Sequence, residues 1–202
     1  MPPSRVYIID DDDAVRDSLA LLLRLHGFDT VEFEGAEAFL AGVGADWSGI
    51  VLVDLRMPGM SGLELQSELQ VRKIALPVIV ITAHGETSAA RTSFKAGAVD
   101  FLEKPIDRDQ LLNAVREGLR LESERVRRAG QAATITRQLG RLTPREREVL
   151  DRVVAGKHNR EIASELAISV RTVEVHNARV LAKMGVERVA DLLRMVLSAD
   201  GV

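Results

Sequence analysis

Cysteine is absent from this 202-residue chain, which rules out both a disulfide framework and a thiolate metal site. Long apolar runs are absent as well. The opening MPPSRVYIIDDDD turns acidic after only a few apolar residues, too few for a secretory leader. No later stretch approaches the roughly 18 apolar residues that a membrane-spanning helix needs. Secreted and membrane-embedded classes are therefore excluded, and a cytoplasmic protein with no membrane partner is expected. What is present is the composition of an ordinary globular chain, 46% hydrophobic and 28% charged, at a length that suits one or two domains.

The net charge of −3 hides an asymmetry. Residues 1–122 carry 20 Asp+Glu against 12 Lys+Arg, a balance of −8, whereas residues 123–202 carry 10 against 15, a balance of +5. An acidic front and a basic rear point to two modules with different partners, the rear suited to a polyanion.

The front alternates in hydrophobic period. VYIID (6–10), TVEF (30–33), IVLVD (50–54), PVIVIT (77–82) and VDFL (99–102) read as strands. Helical patterns follow each of them, over 14–26, 36–43, 63–72 and 88–97 and from about Asp107. IVLVD and VIVIT are continuously apolar, as parallel strands covered on both faces should be. The expected fold is an α/β doubly wound, five-stranded parallel sheet over residues 1–122. Residues 123–140 lose clear amphipathic order and read as a helical extension running into a linker. From there to residue 202 the pattern is all helical, with four segments at 143–156, 159–168, 169–185 and 189–198. Thr143, Pro144 and Glu146 form a capping box for the first, and Ser169 caps the third.

The stretch IIDDDDAVRDSL places four carboxylates side by side where a strand gives way to a helix. Two like charges ~4 Å apart cost about 1 kcal/mol in water and about 4 kcal/mol at an effective dielectric near 20. In an open parallel sheet the functional crevice lies outside the carboxyl ends of the strands, at the point where strand order reverses. With the order 2-1-3-4-5, Asp10 and Asp11 end the first strand beside Asp54 at the end of the third, so three carboxylates converge. An all-oxygen set of this kind suits Mg²⁺ with several retained waters. Thr82 and Lys104 end the fourth and fifth strands, where a hydroxyl and an ammonium could grip a phosphoryl group. Asp54 is then the nucleophile, Asp10 and Asp11 the metal holders. Asp12 and Asp13 read as first-turn acids favoured by the helix dipole, and His26 and His84 as residues without a catalytic role.

The set Asp10-Asp11, Asp54 within DLRMPGMSG, Thr82-Ala83 and Lys104-Pro105 resembles the receiver domain of bacterial two-component response regulators (a CheY-like fold). The resemblance implies phosphate transfer from a sensor histidine kinase to Asp54, with Mg²⁺ held by Asp10 or Asp11, Asp54 and the backbone carbonyl of Arg56. It also implies a switch in which Thr82 turns toward the phosphoryl group and Phe101 moves inward. Many receivers carry tyrosine where Phe101 stands, so only the rotamer part of that switch transfers. Such a protein catalyses only its own phosphorylation and dephosphorylation. A rival reading starts from DDDAV (11–15), which fits the opening of haloacid-dehalogenase-type phosphatases with Asp11 as nucleophile and Asp13 as acid. It leaves Asp54 without a role and wants a further acidic pair after Lys104, where an amphipathic helix stands instead.

Residues 141–202, through LTPREREVL and GKHNREIASELAISVRTVEVHNARVLAKMG, resemble LuxR-type helix-turn-helix DNA-binding domains, in the FixJ-like branch when taken with the receiver. Val173, Val180 and Met184 form a packing stripe on the third helix of this module. Arg171, Val175, Ala178 and Ala182 share another face, with Glu174 and Arg179 beside it, suited to a major groove. Val175 could touch a thymine methyl, Arg179 a phosphate or guanine, and Glu174 a cytosine amine. Asn177 joins these candidates, while Lys157, Asn159, Thr172 and Lys183 are candidate phosphate contacts. Ala178 stands where related proteins often carry a base-reading polar side chain. The implied partners are a histidine kinase, double-stranded DNA, a second copy of the chain when phosphorylated, and RNA polymerase. The fourth helix and fifth strand would form the dimerising surface. The alternative is a constitutive DNA-binding protein controlled by protein contacts alone.

Overall fold

The computed structural model describes residues 5–44, 47–83 and 97–199, in two compact units divided after Val126. The first unit holds strands β1 (Arg5–Ile9), β2 (Asp29–Phe33), β3 (Ile50–Asp54), β4 (Val78–Thr82) and β5 (Asp100–Glu103). They form one parallel sheet in the order β2-β1-β3-β4-β5. Helices α1 (Asp13–Leu25), α2 (Ala36–Gly42), α3 (Gly62–Val71) and α4 (Arg108–Leu139) follow β1, β2, β3 and β5. His84 and, up to residue 96, the helix expected over 88–97 lie outside the described residues.

The continuous apolar runs of the central strands have a direct cause. Side chains alternate between the two faces of a strand, and both faces here are covered. Val6, Ile8, Ile50, Leu52, Ile79 and Ile81 join Leu19 and Leu23 of α1 and Leu111 and Val115 of α4 in one core. Tyr7, Ile9, Val51, Val53, Val78 and Val80 join Phe39 of α2 and Leu65 and Leu69 of α3 in the other. Complete burial of each such side chain contributes about 1.5–3 kcal/mol. A run that alternated with polar residues would have left one of these cores polar.

Helix starts follow from their caps. Asp12 caps α1 by accepting from the N–H of Ala14 and Val15. The α3 entrance carries a reciprocal capping box between Ser61 and Glu64. Glycine is required at position 62, since a Cβ there would meet the Asp54 carbonyl oxygen at 2.5 Å. That close approach seats the start of α3 against the end of β3.

The second unit comprises residues from Arg127 onward, including the rest of α4, then α5 (Pro144–Val154), α6 (Asn159–Glu165), α7 (Val170–Met184) and α8 (Val189–Ala199). The stretch sought as an extension and linker is helical as far as Leu139. Ile135 is buried with Leu150, Val180, Met184 and Leu192, and Leu139, one turn on, packs against the same cluster. A second cluster joins Val149, Val153, Ile162 and Val173. Between α6 and α7 the chain turns at Ala167, in the left-handed region at φ 51°. Arg145 of α5 donates to the Leu166 carbonyl at 2.6 Å, fastening that turn to the scaffold. Among the described residues no helix is long and apolar enough to cross a membrane.

Candidate functional site

The carboxyl ends of β1, β3, β4 and β5 bring together side chains distant in sequence. Lys104 extends its ammonium from the end of β5 to Asp10 Oδ2 at 3.0 Å and to Asp54 Oδ1 at 2.5 Å. Both carboxylates are buried, and Thr82 is buried at the neighbouring end of β4. The Arg56 N–H donates to Asp54 Oδ2 at 2.6 Å, and the Asp12 N–H to Asp10 Oδ1 at 2.9 Å. The Lys104–Pro105 peptide bond is cis.

Among the described residues the cluster is one positive charge short. Burial pushes the Asp54 carboxyl above its ordinary value, against the opposing pull of Lys104 and the Arg56 N–H. Burial would lower the Lys104 ammonium, but Asp54 and Asp10 together hold it above its ordinary value. Two buried carboxylates sharing one ammonium leave a negative charge uncompensated, and a site of this kind favours a further hard cation with oxygen ligands.

Of the three carboxylates expected to converge, Asp10 and Asp54 meet at the Lys104 ammonium. Asp11 is exposed, and among the described residues no three acidic or histidine side chains cluster closely enough to hold a metal. The phosphatase-like alternative finds no site either. Asp13 is 87% exposed at the start of α1 and pairs with Arg16. Phe101 is partly buried against the core shared by α2 and α3. His26 ends α1, exposed, with Nδ1 3.0 Å from the Leu22 carbonyl oxygen.

Arg16 is a residue that the sequence reading passed over. Its guanidinium donates to the backbone carbonyl of Asp10 at 2.6 Å and also pairs with Asp13. The available signal was a cation three residues after an acid in a first helical turn, a spacing that places both on one side of the helix.

In the second unit Val173, Val180 and Met184 are buried, so the opposite surface of α7 faces outward. Arg171, Glu174, Val175, Ala178, Arg179 and Ala182 are exposed along it. Asn177 donates to Asn159 at 3.0 Å, bringing two candidate contacts together from α7 and α6. The Thr172 hydroxyl lies 2.8 Å from that of Ser169, and Arg171 pairs with Glu174 at 3.2 Å. Lys157 pairs with Glu165. Lys183 is engaged inward: its ammonium donates to the buried Glu146 carboxylate at 2.6 Å and to the Arg141 carbonyl at 3.1 Å. Lys183 and the Thr143 N–H hold the Glu146 carboxyl down at about 2. A sequence scan for exposed cations could not separate Lys183 from its neighbours, because its partner lies 37 residues away.

Residues 6–116 match the family model of the response regulator receiver domain, and residues 140–196 that of bacterial regulatory proteins of the luxR family. The transcriptional regulatory protein FixJ of Azorhizobium caulinodans is 45% identical over 201 residues, covering 98% of this chain and 95% of that protein. Among solved structures, the response regulator StyR is similar at 38% identity with a TM-score of 0.85, over 95% of this chain and 97% of that one. Full-length FixJ from B. japonicum is similar at 37% identity with a TM-score of 0.59, over 98% of both chains. With likeness of this degree running through both units, the chain belongs to the FixJ-like, LuxR-type family of two-component response regulators, transcription regulators that join a receiver to a helix-turn-helix DNA-binding domain.

Proposed function

We propose that Asp54 accepts a phosphoryl group from the phosphohistidine of a sensor kinase, and that this modification controls dimerisation and DNA binding by the second unit. The observation that carries the reading is the ammonium of Lys104 lying between the buried carboxylates of Asp10 and Asp54. A pocket so arranged holds a nucleophile beside a fixed positive charge, out of water. Asp54 attacks phosphorus, the P–O bond forms as the P–N bond breaks, and the electron pair of that bond leaves with the imidazole. Lys104 and Thr82 stabilise charge on the phosphoryl oxygens. Mg²⁺, where bound, would be held by Asp10 or Asp11, Asp54 and the Arg56 carbonyl, and would neutralise charge on the carboxylates and the phosphoryl group.

Thr82 and Phe101 couple the modification to the surface of β5, which favours a homodimer that sets two α7 helices on a two-fold operator. On DNA, Arg171, Glu174, Val175, Asn177, Ala178 and Arg179 face base edges, while Lys157, Asn159 and Thr172 set register on phosphates. Lys183 serves that interface from behind by fixing α7 to α5. RNA polymerase is the further partner of a transcription regulator bound in this way.

The test is labelling by acetyl phosphate with Mg²⁺. The native chain takes up phosphate and Asp54→Asn does not; persistent labelling of Asp54→Asn would overturn the assignment. Gel filtration and DNA titration with beryllofluoride then read the coupling. Unchanged mass and unchanged DNA affinity would favour regulation by protein contacts alone.

A further inference from the structure

The phosphoryl-transfer reading uses Asp10, Asp11, Asp54, Thr82 and Lys104, and leaves Arg16 without a role. Arg16 lies in the first turn of α1, where the helix dipole disfavours a cation, and its side chain is only 14% exposed. Its bonds account for the placement. One arm of the guanidinium donates to the Asp10 carbonyl at 2.6 Å, and the other pairs with the Asp13 carboxylate. Those two residues bracket Asp11 and Asp12, so a single side chain clasps both ends of the turn between β1 and α1. The Asp12 N–H in turn donates to Asp10 Oδ1 at 2.9 Å, while Asp10 Oδ2 meets Lys104 at 3.0 Å. The direction of the Asp10 carboxylate therefore depends on the shape of the turn that Arg16 clasps.

We propose that Arg16 is a positioning residue for the acidic pocket: it sets the β1–α1 turn so that Asp10 presents its carboxylate oxygens to the cation of the phosphoryl-transfer site. The inference rests on the Asp54 and Mg²⁺ reading given above. Arg16 acts through the Asp10 backbone and through Asp13, without touching the cation or the phosphoryl group. Its planar fork matters because two acceptors in different directions must be held at once, which the single ammonium of a lysine does not do. The alternative role, simple charge balance, has the opposite sign. A positive charge beside the pocket repels a divalent cation, so its loss would tighten Mg²⁺ binding, whereas loss of a clasp weakens it.

Calorimetric titration of the full chain with Mg²⁺ and no phosphodonor separates the two. Arg16→Met is expected to bind Mg²⁺ about 10-fold more weakly or worse, the range seen when groups that orient a ligand are removed. Arg16→Lys should fall between it and the native chain, and it retains the charge should Arg16→Met fail to fold. With acetyl phosphate, the Mg²⁺ concentration for half-maximal rate should rise in both variants while the rate at saturating Mg²⁺ stays near native, a split that general loss of stability would not produce. Native or tighter Mg²⁺ affinity in Arg16→Met, or native affinity in Arg16→Lys, overturns the proposal while leaving the Asp54 reading intact. Failure of the native chain to bind Mg²⁺ overturns that reading and this proposal with it.

Discussion

The two units place functional groups by opposite means. In the receiver, Lys104 reaches Asp10 and Asp54 across separations of 94 and 50 residues, and the carboxylates it meets are buried. In the second unit the candidate DNA contacts run along exposed turns of α7, with Asn159 added from α6. A receiver side chain therefore acts in a desolvated setting where each charge strongly affects its neighbours. A side chain on α7 sits in water until a partner arrives and can be changed with little consequence for the fold. The exception within the second unit is Glu146 with Lys183, a buried carboxylate met from 37 residues away, which behaves like the receiver pocket in miniature.

Breaking the receiver pocket should have the largest effect. Lys104→Ala is expected to slow phosphoryl uptake from acetyl phosphate by roughly 100- to 1000-fold, the scale on which a preorganised charge-stabilising group acts. A rate within a few-fold of native would mean that the ammonium between Asp10 and Asp54 is only a structural filler.

The Glu146–Lys183 pair tests whether desolvation rather than domain identity governs the difference. Glu146→Gln should lower the unfolding free energy of the second unit by about 2–3 kcal/mol, since it removes one partner of a buried pair and weakens the Thr143 capping box. The pH dependence follows from the depressed carboxyl. With a folded value near 2 and an ordinary value of 4.5, the contribution is complete above pH 4.5 and is lost progressively as pH falls toward 2. Urea titrations of native protein and variant at neutral pH and at acid pH should therefore converge as the pH is lowered. A gap that stays constant with pH would show that charge at Glu146 is not involved.

Val175→Ala sharpens the other side at the smallest cost. Val175 is 39% exposed on the same helix as the fully buried Val173, so stability should change by less than about 0.5 kcal/mol. Operator affinity should fall about 4- to 15-fold, as about 0.8 kcal/mol accompanies each of the one or two methyl groups removed from contact. A stability loss comparable to that of a core substitution would place Val175 in the fold instead of at the interface.

Much of this was readable without coordinates. The five strand runs, the capping box at Thr143 and the buried stripe Val173–Val180–Met184 all rest on short-range pattern, and each has its counterpart in the structure; the strand order assumed for the sheet is also the one found. The details not readable from the sequence share a different origin. Asp10 and Asp11 are adjacent in sequence, yet Asp10 is buried against Lys104 and Asp11 is exposed. Lys183 carries no local sign of its partner Glu146, which lies in another helix, and nothing in the sequence showed that Arg16 reaches back to the Asp10 carbonyl.

The sequence alone determined the architecture of both units and the identity of the acidic, hydroxyl and ammonium groups at the strand ends, since hydrophobic period and helix capping are written within a few residues of where they act. Only the tertiary structure decided which charges meet: Lys104 with both Asp10 and Asp54, Arg16 with the Asp10 carbonyl, and Lys183 with Glu146. The physical reason is that a buried charge must be satisfied by whatever partner the packed elements bring within about 3 Å. That partner is set by strand register and helix packing across the unit, which no local stretch of chain encodes.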